Sequence, residues 1–284
     1  MKYAFIQNQR LYHSVTRLCQ VLSVSRSGYY DWCKRPPSQR QRTDDALAKR
    51  MRQIHQDSRC TYGAPRLHAQ LTREGWRVGR KRVARIMREQ GVKAKSKRRF
   101  KATTNSRHNK PVAPNILARQ FSPMRANIAW ATDITYIATD EGWLYLATVI
   151  DLFSRRIIGW SMAEHMKTTL TLNALTMAIK ARQPQPGLIH HSDRGVQYAS
   201  EAYQVVLKQY GFQCSMSAKG DCYDNAVMES FYHSLKNELV YHERYRTREE
   251  AKQSIFDYIE VFYNRQRLHS TLGYCSPVEF EAAA

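Results

Sequence analysis

The stretch Trp130-Ala-Thr-Asp133-Ile-Thr-Tyr-Ile-Ala-Thr139 is followed by Asp140-Glu-Gly142 and then by Trp143-Leu-Tyr-Leu-Ala-Thr-Val-Ile-Asp151. Both long runs are rich in β-branched and aromatic side chains, which fit a pleated, half-buried surface, and the short piece between them carries turn residues. A third run of the same kind, 155–162, follows a second turn at Phe153-Ser154, so three antiparallel strands are expected here.

Working outward, the spacing predicts a helix over 168–182, a Pro-Gln-Pro-Gly break, a buried strand over 188–191, a helix over 200–210 and a short strand over 212–216. Two more helices, 225–239 and 248–262, complete the pattern. The order β-β-β-α-β-α-β-α is that of an α/β, ribonuclease-H-like core: a mixed five-stranded sheet with flanking helices.

Asp is disfavoured in the middle of a strand unless something repays burial of its charge, which singles out Asp133. Asp193, in His190-His-Ser-Asp193-Arg-Gly195, ends a strand just before a tight turn, where α/β sheets place their ligands. Glu229 lies in the first turns of a helix whose four- and three-residue steps bring Asn225, Glu229, His233 and Lys236 to one face. That face alone could be ordinary surface salt bridging, but this does not explain the two aspartates. Three converging carboxylates would repel one another unless a cation sat among them. Oxygen-only ligands suit Mg²⁺, with Mn²⁺ as a substitute, and such a site supports in-line phosphoryl transfer. Asp140 belongs to the hairpin turn, Asp151 is read as a turn cap, and His190 and His191, on a buried strand, are read as packing residues rather than acid–base groups.

The charge distribution names the partner class. The 284-residue chain carries a formal +21, yet residues 1–125 hold 30 Lys and Arg against 6 Asp and Glu, a net of +24, while the rest is slightly acidic. A basic front on a near-neutral rear suggests a region that grips nucleic acid, feeding a domain with another task. Residues 1–38 read as a short helical, helix-turn-helix-like segment closed by the Lys34-Arg-Pro-Pro-Ser38 break. Residues 43–92 read as a helix-turn-helix DNA-binding domain with helices over 46–56, 65–74 and 80–90. In the last of these Val83, Ile86 and Met87 turn inward and leave Arg80, Lys81, Arg82, Arg85 and Arg88 for DNA. Residues 93–125 form a basic linker in which Lys97, Arg98 and Arg99 are expected to meet phosphates, and 126–284 form the catalytic core with its C-terminal helix. Six scattered cysteines, with no paired Cys spacing, give no zinc site and fit a reducing cytoplasm. No apolar run suits a signal peptide or a membrane span, so no membrane is expected.

With these residues in view, the chain resembles the OrfB transposases of the bacterial IS-three insertion-sequence family, in the DDE superfamily with retroviral integrases. The resemblance rests on the motifs around Asp133 and Asp193, on Gly142-Trp-Leu-Tyr-Leu, Val149-Ile-Asp151-Leu-Phe-Ser-Arg, Gly159-Trp-Ser-Met, Ser215-Met-Ser-Ala-Lys-Gly, Asp224-Asn, Glu229-Ser-Phe and Tyr263-Asn-Arg-Gln-Arg-Leu-His-Ser. Tyr62-Gly-Ala-Pro-Arg-Leu resembles the helix-turn-helix unit that precedes such cores. The resemblance implies a DNA transposase with Asp133, Asp193 and Glu229 as catalytic triad and metal ligands, and Lys236 as the signature basic residue on DNA. It also implies copy-out-paste-in transposition, a homo-oligomer that holds two ends, and an OrfA product or an OrfAB fusion as partner, in the bacterial cytoplasm at the nucleoid. Two other readings stay open at this point: a ribonuclease-H-like nuclease without strand transfer, and a non-catalytic helix-turn-helix regulator.

Overall fold

A computed structural model describes residues 1–95, 112–218 and 222–284. The chain divides into two compact units, 1–52 and 53–284, with the division inside one helix. The first unit contains α1 (Lys2–Gln9), α2 (Val15–Val21) and α3 (Arg26–Lys34), built around buried Ile6, Cys19 and Tyr29. Ser14 and Ser25 cap α2 and α3 by accepting the amides of Arg17 and Gly28. All three fall in the segment 1–38 expected to be helical; in α1 only Ile6 turns inward. The helix that spans the division, α4 (Gln39–Asp57), starts earlier than its apolar pattern, since Ser38 Oγ accepts the amide of Gln41 directly after the prolines.

In the second unit α5 (Ala64–Arg73) and α6 (Arg80–Glu89) follow, with Pro65 in the first turn of α5 and Gly91 at positive φ just past the end of α6. The sheet contains β1 (Ala129–Thr139), β2 (Gly142–Asp151), β3 (Ile157–Ala163), β4 (Ile189–Ser192) and β5 (Gln213–Met216) in the order β3-β2-β1-β4-β5. The first three strands are antiparallel, and β4 and β5 join parallel to β1. β3 starts two residues later than expected. Asp151 takes Arg155 and the residues before it into its turn: its Oδ1 accepts Phe153 N at 3.0 Å and its carbonyl accepts Arg155 N at 2.8 Å. Asp151 is fully buried and also accepts Asn127 N, so it serves as the turn cap expected of it.

Side chains alternate across the strands, so Trp130, Ala147 and Val149 face one way. They meet Leu170, Ala174, Leu175 and Ala178 of α7 (Thr168–Arg182) and Tyr203 and Leu207 of α8 (Glu201–Gln209) in one core. At Gly159 β3 and α7 touch backbone to backbone, and any Cβ there would collide with the carbonyl of Ala174. The opposite face carries Thr148, which meets α9 (Ala226–Glu238), and α10 (Arg248–Phe256) packs on β1 and β2. The helix expected over 248–262 stays α-helical only to Phe256, then widens into a π-helical stretch, Asp257–Tyr263, which turns Tyr258, Ile259, Phe262 and Tyr263 all inward. A short α11 (Pro277–Ala282) closes the chain with a capping box between Ser276 and Glu279. No helix among the described residues is long and apolar enough to cross a membrane.

Candidate active site

β4 is short and pairs with β1 only as far as Ala131↔His191. The edge of β1 beyond that point is therefore open to the loop after β4, and it is there that the acids gather. Asp133 lies opposite Thr148 of β2, half-buried, with Oδ1 accepting Ile134 N at 2.8 Å. Its carboxyl is pushed well above the usual range by burial first, then by the charge of Asp193 and, to a smaller extent, that of Glu229; the Ile134 amide and Lys236 oppose the shift. Asp193, one residue past β4, accepts Gly195 N at 2.8 Å, which folds its carboxylate over the turn. Glu229 sits in the first turns of α9 and is exposed, and its own upward shift comes from burial alone. Asp133 thus feels the charges of both Asp193 and Glu229, that of Asp193 more strongly. Among the described residues no three His, Cys, Asp or Glu side chains are close enough together to hold one metal ion.

The helix that carries Glu229 is tied to the sheet at several points. Tyr232 donates to the carbonyl of Asp133 at 2.6 Å and lies 2.9 Å from Thr148 Oγ1. Asn225 Nδ2 reaches the carbonyl of Thr132 at 3.4 Å. Just upstream, the buried carboxylate of Asp224 accepts Ala218 N at 2.8 Å and Arg119 Nε at 2.7 Å, which hold it below the usual range, and it also accepts Asn115 Nδ2 at 2.9 Å. Lys236 stands two turns after Glu229 with its Nζ 4.9 Å from the ring centre of Tyr136. Burial lowers its pKa while the charge of Asp133 raises it, so this cation faces the acids. His233 does not join that face: it is exposed and its Nε2 lies 2.8 Å from Asn237 Nδ2. The parts Tyr232, Asn225 and Asp224 play in holding the site are not visible in the sequence, because only the tertiary fold brings Tyr232 and Asn225 to β1 and Asp224 to Arg119 and Asn115.

His190 and His191 are packing residues here. His190 Nε2 lies 3.2 Å from the Tyr203 hydroxyl, and His191 lies between Ser215 and Ser217 at 2.9 and 3.2 Å. Burial lowers the His190 pKa to about 3. The folded state therefore binds fewer protons than the unfolded one between about pH 6.5 and about pH 3. His190 is thus expected to withdraw stability as pH falls from about 6.5 toward about 3, by up to ~1.4 kcal/mol per pH unit. Urea unfolding between about pH 7 and about pH 5 checks this, since His190→Phe should flatten the slope by close to one proton.

Gly195 shapes the Asp193 carboxylate. A Cβ at this position would lie 2.9 Å from Asp193 Oδ1 and 3.1 Å from Gln197 Oε1. Gly195→Ala is expected to displace the carboxylate and cut any reaction that depends on it by on the order of tenfold to a hundredfold, with the thermal midpoint nearly unchanged. Activity at the wild-type level would show that the carboxylate does not need this position.

The chain matches the family models "Integrase core domain" over residues 123–222 and again over 229–284, and "HTH-like domain" over residues 42–100. It is 45% identical to the transposase InsF for insertion sequence IS3A of Escherichia coli (strain K12), over 99% of this chain and 98% of the relative. The chain belongs to the IS3-family transposases. A Shigella sonnei protein described as the insertion element IS600 uncharacterized 31 kDa protein is 50% identical to this transposase over 93% of its length and 97% of the relative's. A solved structure, the HTLV-2 integrase catalytic core domain in complex with magnesium, is a more distant likeness, with 16% identity and a TM-score of 0.43 over 56% of this chain and 98% of that one. In the transposase the basic residues of α6 are split: Arg80, Lys81 and Arg88 are exposed, Arg82 and Arg85 are partly covered, and Arg85 pairs with Glu89 at 2.7 Å. Lys97, Arg98 and Arg99 lie outside the described residues.

The donor set at the acids suits a hard divalent cation. It is made of carboxylate oxygens, and two of them already repel each other in a partly water-free setting, a cost that a cation would reverse.

Proposed function

We propose that Asp133, Asp193 and Glu229 are the catalytic residues of this transposase and together hold Mg²⁺, with Mn²⁺ able to substitute. The observation that carries the reading is placement: Asp133 in β1, Asp193 one residue past β4, which pairs with β1, and Glu229 on α9, which Tyr232 ties to the Asp133 carbonyl. When bound, the metal would supply Lewis acidity to the attacking and departing oxygens. Asp133 and Asp193 would hold the cation from β1 and from the turn after β4, and Glu229 would complete the ligand set from α9. Lys236 would hold a neighbouring DNA phosphate, with its alkyl stem and Nζ fixed by Tyr136.

In the first reaction water attacks the phosphorus at the element end, the bond to the element's 3′-oxygen breaks, and a 3′-hydroxyl and a 5′-phosphate result. In the second that 3′-hydroxyl attacks another strand, a new phosphodiester forms, and a 3′-hydroxyl departs with the displaced proton. Arg80, Lys81, Arg82, Arg85 and Arg88 of α6, with Lys97, Arg98 and Arg99 of the linker, would grip the subterminal DNA. In this reading 1–38 is a short helical, helix-turn-helix-like segment, 43–92 is the helix-turn-helix DNA-binding domain, 93–125 is a basic linker and 126–284 is the catalytic core with its C-terminal helix. The chain would act in the cytoplasm, at the nucleoid, as a homo-oligomer that brings two ends together, alongside an OrfA product or as part of an OrfAB fusion.

The test is strand joining with a labelled 3′-hydroxyl donor made from the element's own end. Joined product that is lost with EDTA and restored by Mg²⁺ is expected. Hydrolysis without joining would favour a nuclease, and DNA binding with neither reaction would favour a regulator.

A further inference from the structure

Three arginines of the basic front, Arg59 and Arg66 partly covered and Arg73 exposed, are engaged by groups of the chain itself. Arg59, Arg66 and Arg73, seven residues apart, turn toward the C-terminal part of the same unit: Arg59 pairs with Asp257 at 2.7 Å and Arg73 with Glu279 at 2.8 Å. Arg66 lies between them, donating from Nε to the carbonyl of Leu268 at 2.9 Å and approaching Glu238 at 3.5 Å. Beside it the Tyr62 hydroxyl accepts Leu268 N at 2.9 Å and donates to the carbonyl of Gln266 at 3.0 Å.

Glu238 is the last residue of α9, the helix of Glu229 and Lys236. Its carboxylate is buried and accepts Arg267 in a two-pronged pair, at 2.7 and 2.6 Å, as well as the Tyr258 hydroxyl at 2.8 Å. Arg267 also reaches Ser234, one turn earlier on α9, at 3.1 Å. A planar guanidinium paired in this way fixes orientation as well as distance. Because α6 packs on α5, one packed path runs from α6 through α5, Arg66 and Glu238 to α9.

We propose that Tyr62, Arg66, Glu238 and Arg267 are positioning residues that act as a ruler: they hold the helix-turn-helix-like element at a set distance from the catalytic helix, so that only one spacing between the sequence read by α6 and the reacting phosphate is productive. This rests on the function proposed above. Each base pair inserted between the two moves the end by about 3.4 Å and turns it by about 35°, which a rigid clamp does not follow but a tethered module would.

The experiment uses the full chain and duplexes of the element's own end, with insertions of about one to about five base pairs between terminus and subterminal sequence. The wild type is expected to lose joining at least about tenfold by about three inserted pairs. The Tyr62→Phe, Arg66→Gln double variant leaves the Arg267–Glu238 pair in place and removes one of two like charges facing it. It is expected to flatten the profile to within about threefold, and Arg66→Lys should restore part of the spacing preference. A variant that lowers joining by the same factor at every spacing would show mere structural support and overturn the ruler, as would a wild type indifferent to spacing. The wild type at native spacing reports on the function reading alone; no joining there would end that reading, and the ruler with it.

Discussion

Asp133→Asn is expected to reduce both cleavage and joining by at least about 1,000-fold, ~4 kcal/mol of barrier, while DNA binding stays near the wild-type level. The amide keeps the shape of the carboxylate and can still accept Ile134 N. It cannot carry the charge a divalent cation needs. The same change removes a carboxyl that burial and the charges of Asp193 and Glu229 push upward. Without divalent cation the variant should therefore unfold at the same temperature as the wild type or higher, and unlike the wild type it should gain little when Mg²⁺ is added. Parallel joining assays and melting curves, with and without Mg²⁺, check both halves. A variant that still joins ends at the wild-type rate would remove Asp133 from the chemistry.

The second large effect concerns stability. Glu238→Ala leaves the guanidinium of Arg267, almost fully buried, without its acid and with Arg66 beside it. Removing one partner of such a pair typically costs about 3–5 kcal/mol, because a buried charge is left uncompensated. Burial depresses Arg66, and Arg267 lowers it further, which shows the repulsion that Glu238 offsets. Urea unfolding is expected to show this loss. Replacing Glu238 and Arg267 together by apolar residues should recover much of the stability. A loss of less than about 1 kcal/mol would mean that water enters and solvates Arg267.

The core was legible in the sequence because its strands and helices each bury one continuous face. The runs around Asp133 and over 142–151 alternate, and α7 occupies the expected range to the residue. Asp133 and Asp193 could be picked out because an acid in a strand, or at a strand end beside Gly195, needs a reason. Glu229 could be placed on α9, but not its distance from the two aspartates, since that depends on how Tyr232, Asn225 and Asp224 seat the helix. The contacts of Tyr232 and Asn225 with β1, and of Asp224 with Arg119 and Asn115, join residues about a hundred positions apart and leave no local periodicity. The same limit hid the clamp at Glu238. Arg59, Arg66 and Arg73 raise the positive charge of the front half as any DNA-binding arginine would, and only their acidic partners, about two hundred residues away in sequence, separate them from the arginines of α6.

The most direct test of the metal-site assignment is anomalous diffraction from crystals of the full chain, bound to its element end and soaked in Mn²⁺. The account predicts anomalous peaks within about 2.2 Å of carboxylate oxygens of Asp133 and Asp193, with Glu229 drawn in as a further ligand. Peaks confined to other acids, or no peak beside Asp133, would contradict it.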